Sequence, residues 1–194
     1  MVLNGLVITI LWVLIALYAA TLVLDIKALF FNKTFKFAKL HPDAQLPYKD
    51  KENGCYDLFA CFDEEEFEIP SHSVRLVPTG ICSAFSSDYM IHVRERGSNT
   101  KSNLKVSAGV IDSGYRGEWF VALYNGNKLP VVISKNATEF DRTRSEIIVP
   151  YNKAIAQFAV ENVPNISLDY TSVEKVLAVK SKRGTNKLGS TDKK

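Results

Sequence analysis

The chain opens on a stretch in which apolar residues follow one another with almost no polar relief: from Val2 to Leu24 no side chain carries a charge. A helix of about 20 such residues crosses a bilayer core of roughly 30 Å, and within lipid only a helix satisfies its own backbone over that length. The pattern therefore predicts one transmembrane helix over about 4–24, inside a hydrophobic anchor 1–31. A cleaved signal peptide is the rival reading. Such a peptide usually has an apolar run of about 7–15 residues behind a basic start. Val2-Leu3-Asn4 has no basic side chain, although Tyr18-Ala19-Ala20 offers small residues for cleavage.

Beyond residue 31 the pattern changes. Residues 32–53, with Pro42, Pro47 and mixed charge, read as a linker and first strand. From residue 54 the apolar positions alternate in short runs: 67–69, 74–77, 89–93, 104–106, 119–124, 131–133, 147–149 and 155–160. Turn formers such as Pro78-Thr79-Gly80, Ser113-Gly114 and Asn125-Gly126-Asn127 separate them. Many short strands so spaced predict an all-β body over 54–179, a sandwich, jelly roll or barrel. The basic tail 180–194 has too little apolar surface to pack a core and reads as a mobile arm.

Composition sharpens this division, since 25 of the first 31 residues are apolar. Lys+Arg number 24 against Asp+Glu 21, a net of +3, which is too small to argue for nucleic acid. Lys27, Lys33, Lys36 and Lys39 follow the apolar stretch, so the positive-inside rule makes the protein membrane-anchored, single-pass, with its body cytoplasmic. Cys55, Cys61 and Cys82 form no CxxC, and His41, His72 and His92 are scattered, which argues against a zinc site. P-loop, Rossmann and serine-hydrolase signatures are absent.

The most informative segment runs from Gly109-Val110-Ile111-Asp112 through Ser113-Gly114-Tyr115-Arg116-Gly117 into Trp119-Phe120-Val121. It reads as a strand ending in Asp112, a reversal and a second strand. On the residues alone, Asp112 either stands beside a ligand pressed on glycine-rich backbone or caps a turn. The segment resembles the third motif of the trimeric dUTPase family. Gly54-Cys55-Tyr56-Asp57-Leu58-Phe59-Ala60 resembles the first motif, Arg96-Gly97-Ser98 the second in a Gram-positive or phage-like form, and Lys153-Ala154-Ile155-Ala156-Gln157-Phe158 the fourth. Arg183-Gly184-Thr185-Asn186-Lys187-Leu188-Gly189-Ser190-Thr191 resembles the glycine-rich fifth.

The resemblance implies a distorted jelly-roll β-barrel and hydrolysis of dUTP to dUMP and pyrophosphate, which lowers dUTP and supplies dUMP for thymidylate synthesis. It implies a homotrimer with shared active sites. Asp112 matches the base that deprotonates water for attack at the α-phosphorus. Arg96, Gly97, Ser98, Gln157, Arg183, Gly189 and Ser190 match phosphate-binding positions. Val106, Ser107, Gly109, Val110, Ile111, Tyr115 and Leu188 match positions around uracil and deoxyribose, with backbone of 106–110 facing the base edge. Asp57 matches a supporting acid, and it also reads as an ordinary strand-end acid. Mg2+ is implied as cofactor, held by phosphates and water rather than by a protein cage. The chain departs from the family pattern at Cys55, at Asn99-Thr100 after the second motif, at Gly114, at Leu188 where an aromatic is usual, and at Asn186 and Asp192 in the arm.

Two other readings stand beside this one. A dCTP deaminase-like enzyme would share the fold but needs a glutamate base. A phage regulator of the same fold, sensing nucleotide and binding a repressor, would use a surface such as the loop 134–147.

Overall fold

The computed structural model describes residues 2–31 and 34–185, with side chains inside the first helix only at 5 and 7–23. That helix, α1, spans Val2–Phe31. Thirteen strands follow, with two short helices among them: β1 Lys36–Lys39, β2 Tyr56–Leu58, β3 Glu66–Ile69, β4 Val74–Pro78, β5 Ile81–Ala84, β6 Tyr89–Arg94, α2 Asn99–Ser102, β7 Leu104–Ala108, β8 Val110–Ile111, β9 Phe120–Asn125, β10 Val131–Ser134, β11 Asp141–Arg142, β12 Ile147–Pro150, β13 Ala156–Asn162 and α3 Val173–Ala178. The expected anchor is thus helical. Among the described residues, however, no helix is long and apolar enough to cross a membrane, so the expected span over 4–24 is not established by the fold.

The expected all-β body is present, but its strands do not close into one hydrogen-bonded barrel. They form four small sheets, ordered β1-β5, β11-β12-β10-β3, β2-β13-β6-β8 and β4-β9-β7. The strands are short, down to two residues in β8 and β11, and β7 carries a register shift between Val106 and Ala108, so each ladder is brief. Nearly all pairs are antiparallel; β10 and β12 run parallel, with Val131 opposite Ile147.

Alternation along each strand decides which face is buried. In β13, Ala156 and Phe158 point inward at 0% and 1% exposure, while Gln157 and Glu161 alternate onto the other face. In β6, Ile91 and Val93 are buried, and His92 and Arg94 are not. Phe158 is a hub of the core: it stacks on Tyr56 at 5.2 Å and meets Trp119 edge-on at 5.5 Å. The chain divides after Val163 into units 1–163 and 164–194. Residues 164–179, expected inside the body, therefore belong to the second unit, where α3 is capped by Ser172 and its residues are exposed.

Candidate active site

The outward face of the β2-β13-β6-β8 sheet carries the polar chemistry. Gln157 on β13 lies opposite Asp57 on β2 and Arg94 on β6, so the three occupy one row across the sheet. Just past the end of β6, Arg96 turns back onto Asp57. Its Nε and Nη2 each donate to one carboxylate oxygen at 2.9 Å. This two-pronged geometry fixes the guanidinium plane. Nη1 donates to the Ala154 carbonyl at 3.3 Å and reaches the Ser98 hydroxyl at 3.4 Å. The Gln157 amide donates to the Glu95 carbonyl at 2.8 Å, holding the loop after β6 against β13.

That loop then makes one helical turn, α2. Its residues are weak helix formers, and the turn is secured from outside: buried Asn99 donates through Nδ2 to the Ile155 carbonyl at 3.0 Å. Gly97 and Ser98 are left exposed at its start.

The second cluster sits on the β7–β8 segment. Gly109 lies at the corner, where its carbonyl accepts from the Val93 N–H at 2.6 Å. A Cβ built on Gly109 would stand 2.4 Å from the Val93 oxygen, so only glycine lets this corner touch β6. The Val106 N–H donates to Glu95 Oε1 at 3.0 Å. Two of the backbone groups expected to face a base are therefore engaged within the chain, while Ser107 and Val110 are exposed and Ile111 half-buried. Asp112 is exposed at the end of β8, and among the described residues its side chain makes no hydrogen bond. Its carbonyl accepts from Tyr115 N–H at 3.1 Å, which closes the reversal, and the Tyr115 hydroxyl donates to the Glu118 carbonyl at 2.8 Å.

The fold brings together Asp57, Arg96, Ser98 and Gln157. It does not bring Asp112 or Tyr115 to them. Ile111 pairs with Ile91, so Asp112 follows at the level of Met90. Arg94 is four residues along β6 from that level, about 13 Å at roughly 3.3 Å per residue, and Arg96 lies beyond it. Arg183 belongs to the second unit and is described by itself; its N–H lies 3.3 Å from Ser181 Oγ. Leu188, Gly189 and Ser190 lie outside the described residues. Among the described residues no cluster of His, Cys, Asp or Glu could hold a metal ion.

Sequence reasoning missed the roles of Glu95, which ties the loop after β6 to β7, of Asn99, which holds α2 to the turn before β13, and of the His92–Glu161–Arg94 group on the same face. The Glu161 carboxylate accepts from Arg94, and His92 Nδ1 lies 3.1 Å away. Both contacts, the arginine first, hold its carboxyl below the ordinary carboxylate range. An acid and a base 67 to 69 positions apart give no local sequence signal.

The family model described as dUTPase matches residues 43–138. The deoxyuridine 5'-triphosphate nucleotidohydrolase of Leptospira interrogans is 31% identical over 157 residues, covering 79% of this chain and 94% of its own length. The same-named protein of Helicobacter pylori strain P12 is 38% identical over 94 residues, 46% of this chain and 63% of that protein. Among solved structures, the Staphylococcus bacteriophage 80alpha dUTPase with dUPNHPP superposes with a TM-score of 0.63 at 18% identity, covering 81% of this chain and 98% of that one. The dUTPase of phage phi11 of S. aureus, described with a structural Mg(II) ion, gives 0.57 at 18% identity over 72% and 97%. A body alike in fold to these phage proteins, and in sequence to a relative it covers almost end to end, belongs to the dUTPase family.

Proposed function

We propose that the protein hydrolyses dUTP to dUMP and pyrophosphate. The observation that carries this reading is the likeness, along four-fifths of the chain, to a relative named for that activity. The geometry supports the roles. Asp112, exposed and without a side-chain partner among the described residues, has lone pairs free to take a proton from water attacking the α-phosphorus. A positioned base of this kind is worth about 10²–10⁴ in rate. Ser98, Gly97 and Gln157 offer donors to phosphate oxygens, with Arg96 held in place by Asp57. By the likeness of the tail to the family's fifth motif, Arg183, Leu188, Gly189 and Ser190 are proposed as further ligands of the nucleotide. Tyr115 packs under the deoxyribose, and the exposed backbone around Ser107 and Val110 reads the uracil edge. A base with the reversed donor pattern leaves polar groups unpaired there, at a cost of about 1–3 kcal/mol each.

The donor set fits Mg2+ arriving with the substrate. Both Asp57 oxygens are taken by Arg96, and phosphates with retained water satisfy the ion's octahedral preference. Such an ion would supply charge neutralisation to the phosphates, with Arg96, Ser98 and Gln157 as the chain's own donors.

Asp112 and Arg96 lie toward opposite ends of β6, an arrangement that suits base and phosphate grip of one site coming from different copies. We infer that active sites are shared between copies in a homotrimer. The proposal of a membrane anchor with the body on the cytoplasmic side rests on the sequence, in which Val2 to Leu24 is free of charge and Lys27, Lys33, Lys36 and Lys39 follow. A helix apolar all round has no stable place in water.

The purified full chain in detergent, given dUTP, dCTP and dTTP while pyrophosphate and ammonia are followed, should release pyrophosphate from dUTP alone. Ammonia from dCTP, or undiminished pyrophosphate release by Asp112→Asn, would overturn the assignment.

A further inference from the structure

The stretch expected to face the base is tied at both ends to β6 and the loop that follows it. At one end the Gly109 carbonyl accepts from the Val93 N–H at 2.6 Å, a contact between main chains. At the other the Val106 N–H donates to Glu95 Oε1 at 3.0 Å. Between these ties the ladder is interrupted. β7 follows β9 in register as far as Val106, opposite Leu123, and resumes with Ala108 opposite Ala122, so Ser107 is the extra residue of a bulge. A bulge leaves one residue unpaired and bends its strand. β7 is also an edge strand, with β9 as its one neighbour in the sheet. Support for the segment 106–109 therefore comes from outside its own sheet.

Glu95 stands between two arginines and pairs with neither. Arg94 is taken by Glu161 and Arg96 by Asp57. Among the described residues, the Val106 N–H is the one hydrogen-bond partner of the Glu95 carboxylate. The Glu95 carbonyl accepts from the Gln157 amide at 2.8 Å, which pins the main chain that carries the carboxylate. An ionised acceptor makes a shorter and stronger contact with a main-chain N–H than a neutral one. Of the two ties on the segment, this is the one a side chain supplies.

We propose that Glu95 is a positioning residue for the base: by clamping Val106 it holds the bulged segment in the shape in which main chain from Ser107 to Val110 meets the uracil edge. The inference rests on the hydrolase reading and deepens it, because it names what sets the base-reading end of the site. The clamp also takes the Val106 N–H out of the set of groups open to a base. Without it the bulge is free to move along β9, and a shift of one residue turns donors and acceptors to the wrong side. Glu95 thus acts through Val106 on the binding of the base and not on the attack by water.

The test uses the full chain with Glu95→Ala, Glu95→Asp and Glu95→Gln, and three probes: dUMP, dUpNHpp and inorganic tripolyphosphate. Glu95→Ala should weaken dUMP and dUpNHpp and raise KM for dUTP by about threefold to tenfold, as expected for loss of one charge-assisted contact, with kcat within about twofold. Glu95→Gln keeps an acceptor of the same reach and should restore most of the loss. Glu95→Asp, one methylene too short for the contact, should repeat the loss, and it carries the test if the alanine variant melts early. Tripolyphosphate has no base, and its affinity should stay within about twofold in all three, because the Glu95 carbonyl and its tie to Gln157 remain. Equal weakening of tripolyphosphate would make Glu95 a support for the whole loop and overturn the proposal. Unchanged affinity for dUMP in Glu95→Ala, or a wild-type protein that binds no dUMP, overturns it as well. Wild-type turnover of dUTP reports separately on the hydrolase reading: the same split between base-bearing and base-free probes in a protein inactive on dUTP would keep the clamp and remove the reaction.

Discussion

Gly109 and Asp57 show how single residues set the site without touching its chemistry. A methyl group at Gly109 would stand 2.4 Å from the Val93 oxygen, so β6 or the corner must move. Gly109→Ala should lower stability by roughly 1–3 kcal/mol, the usual range for overpacking, and raise KM for dUTP, seen together in a denaturation curve and steady-state kinetics. Asp57→Asn keeps the shape but removes the charge that holds Arg96. With the guanidinium no longer fixed, kcat/KM should fall about 10²-fold. Glu161 supplies a pH signature. Its carboxyl is held low by Arg94 and His92, so its contribution is present above the ordinary carboxylate range and lost as pH falls through the lowered value. Acid unfolding of Glu161→Gln should accordingly be less steep over that window. Asp112, Asp57, Arg96 and Gln157 could be picked out of the sequence as candidates because each stands in a short run that resembles a family motif. Glu95 and Asn99 were not, since they act through contacts to Val106 and to the Ile155 carbonyl, 11 and 56 positions distant.

At the scale of elements, the longer strands could be read from their apolar runs: in β6 and β13 inward Ile91 and Phe158 alternate with less buried neighbours, while in β9 Val121, Ala122 and Leu123 are all buried. The short ones could not. β2 has three residues and β8 two, too few for a period of two to declare itself. The α2 turn escaped because Asn99-Thr100-Lys101-Ser102 is a poor helical sequence, ordered here by the Asn99 contact to β13 rather than by propensity. Barrel closure was expected from resemblance, whereas the short strands among the described residues pair into four separate sheets. The sheet bearing Asp57 and Gln157 depends on its buried side. Phe158, 1% exposed between Tyr56 and Trp119, anchors the strand that both neighbours pair with. Phe158→Ala should cost about 3–5 kcal/mol, measurable as a shift of the denaturant midpoint, with loss of activity following loss of fold.

For the whole molecule, Asp112 and Arg96, the proposed base and phosphate grip, lie toward opposite ends of β6. If base and phosphate grip meet only between copies, Asp112→Asn and Arg96→Ala, each inactive alone, should recover partial activity when co-assembled, because some interfaces then pair an intact Asp112 with an intact Arg96. Failure of every mixture to recover would place the whole reaction within one chain. A further consequence follows for abundance. A catalyst completed only by its neighbours loses turnover faster than linearly on dilution, and a defective copy silences more than its own share of sites. Sites shared in this way would make the output of the protein a readout of how much of it the cell has made.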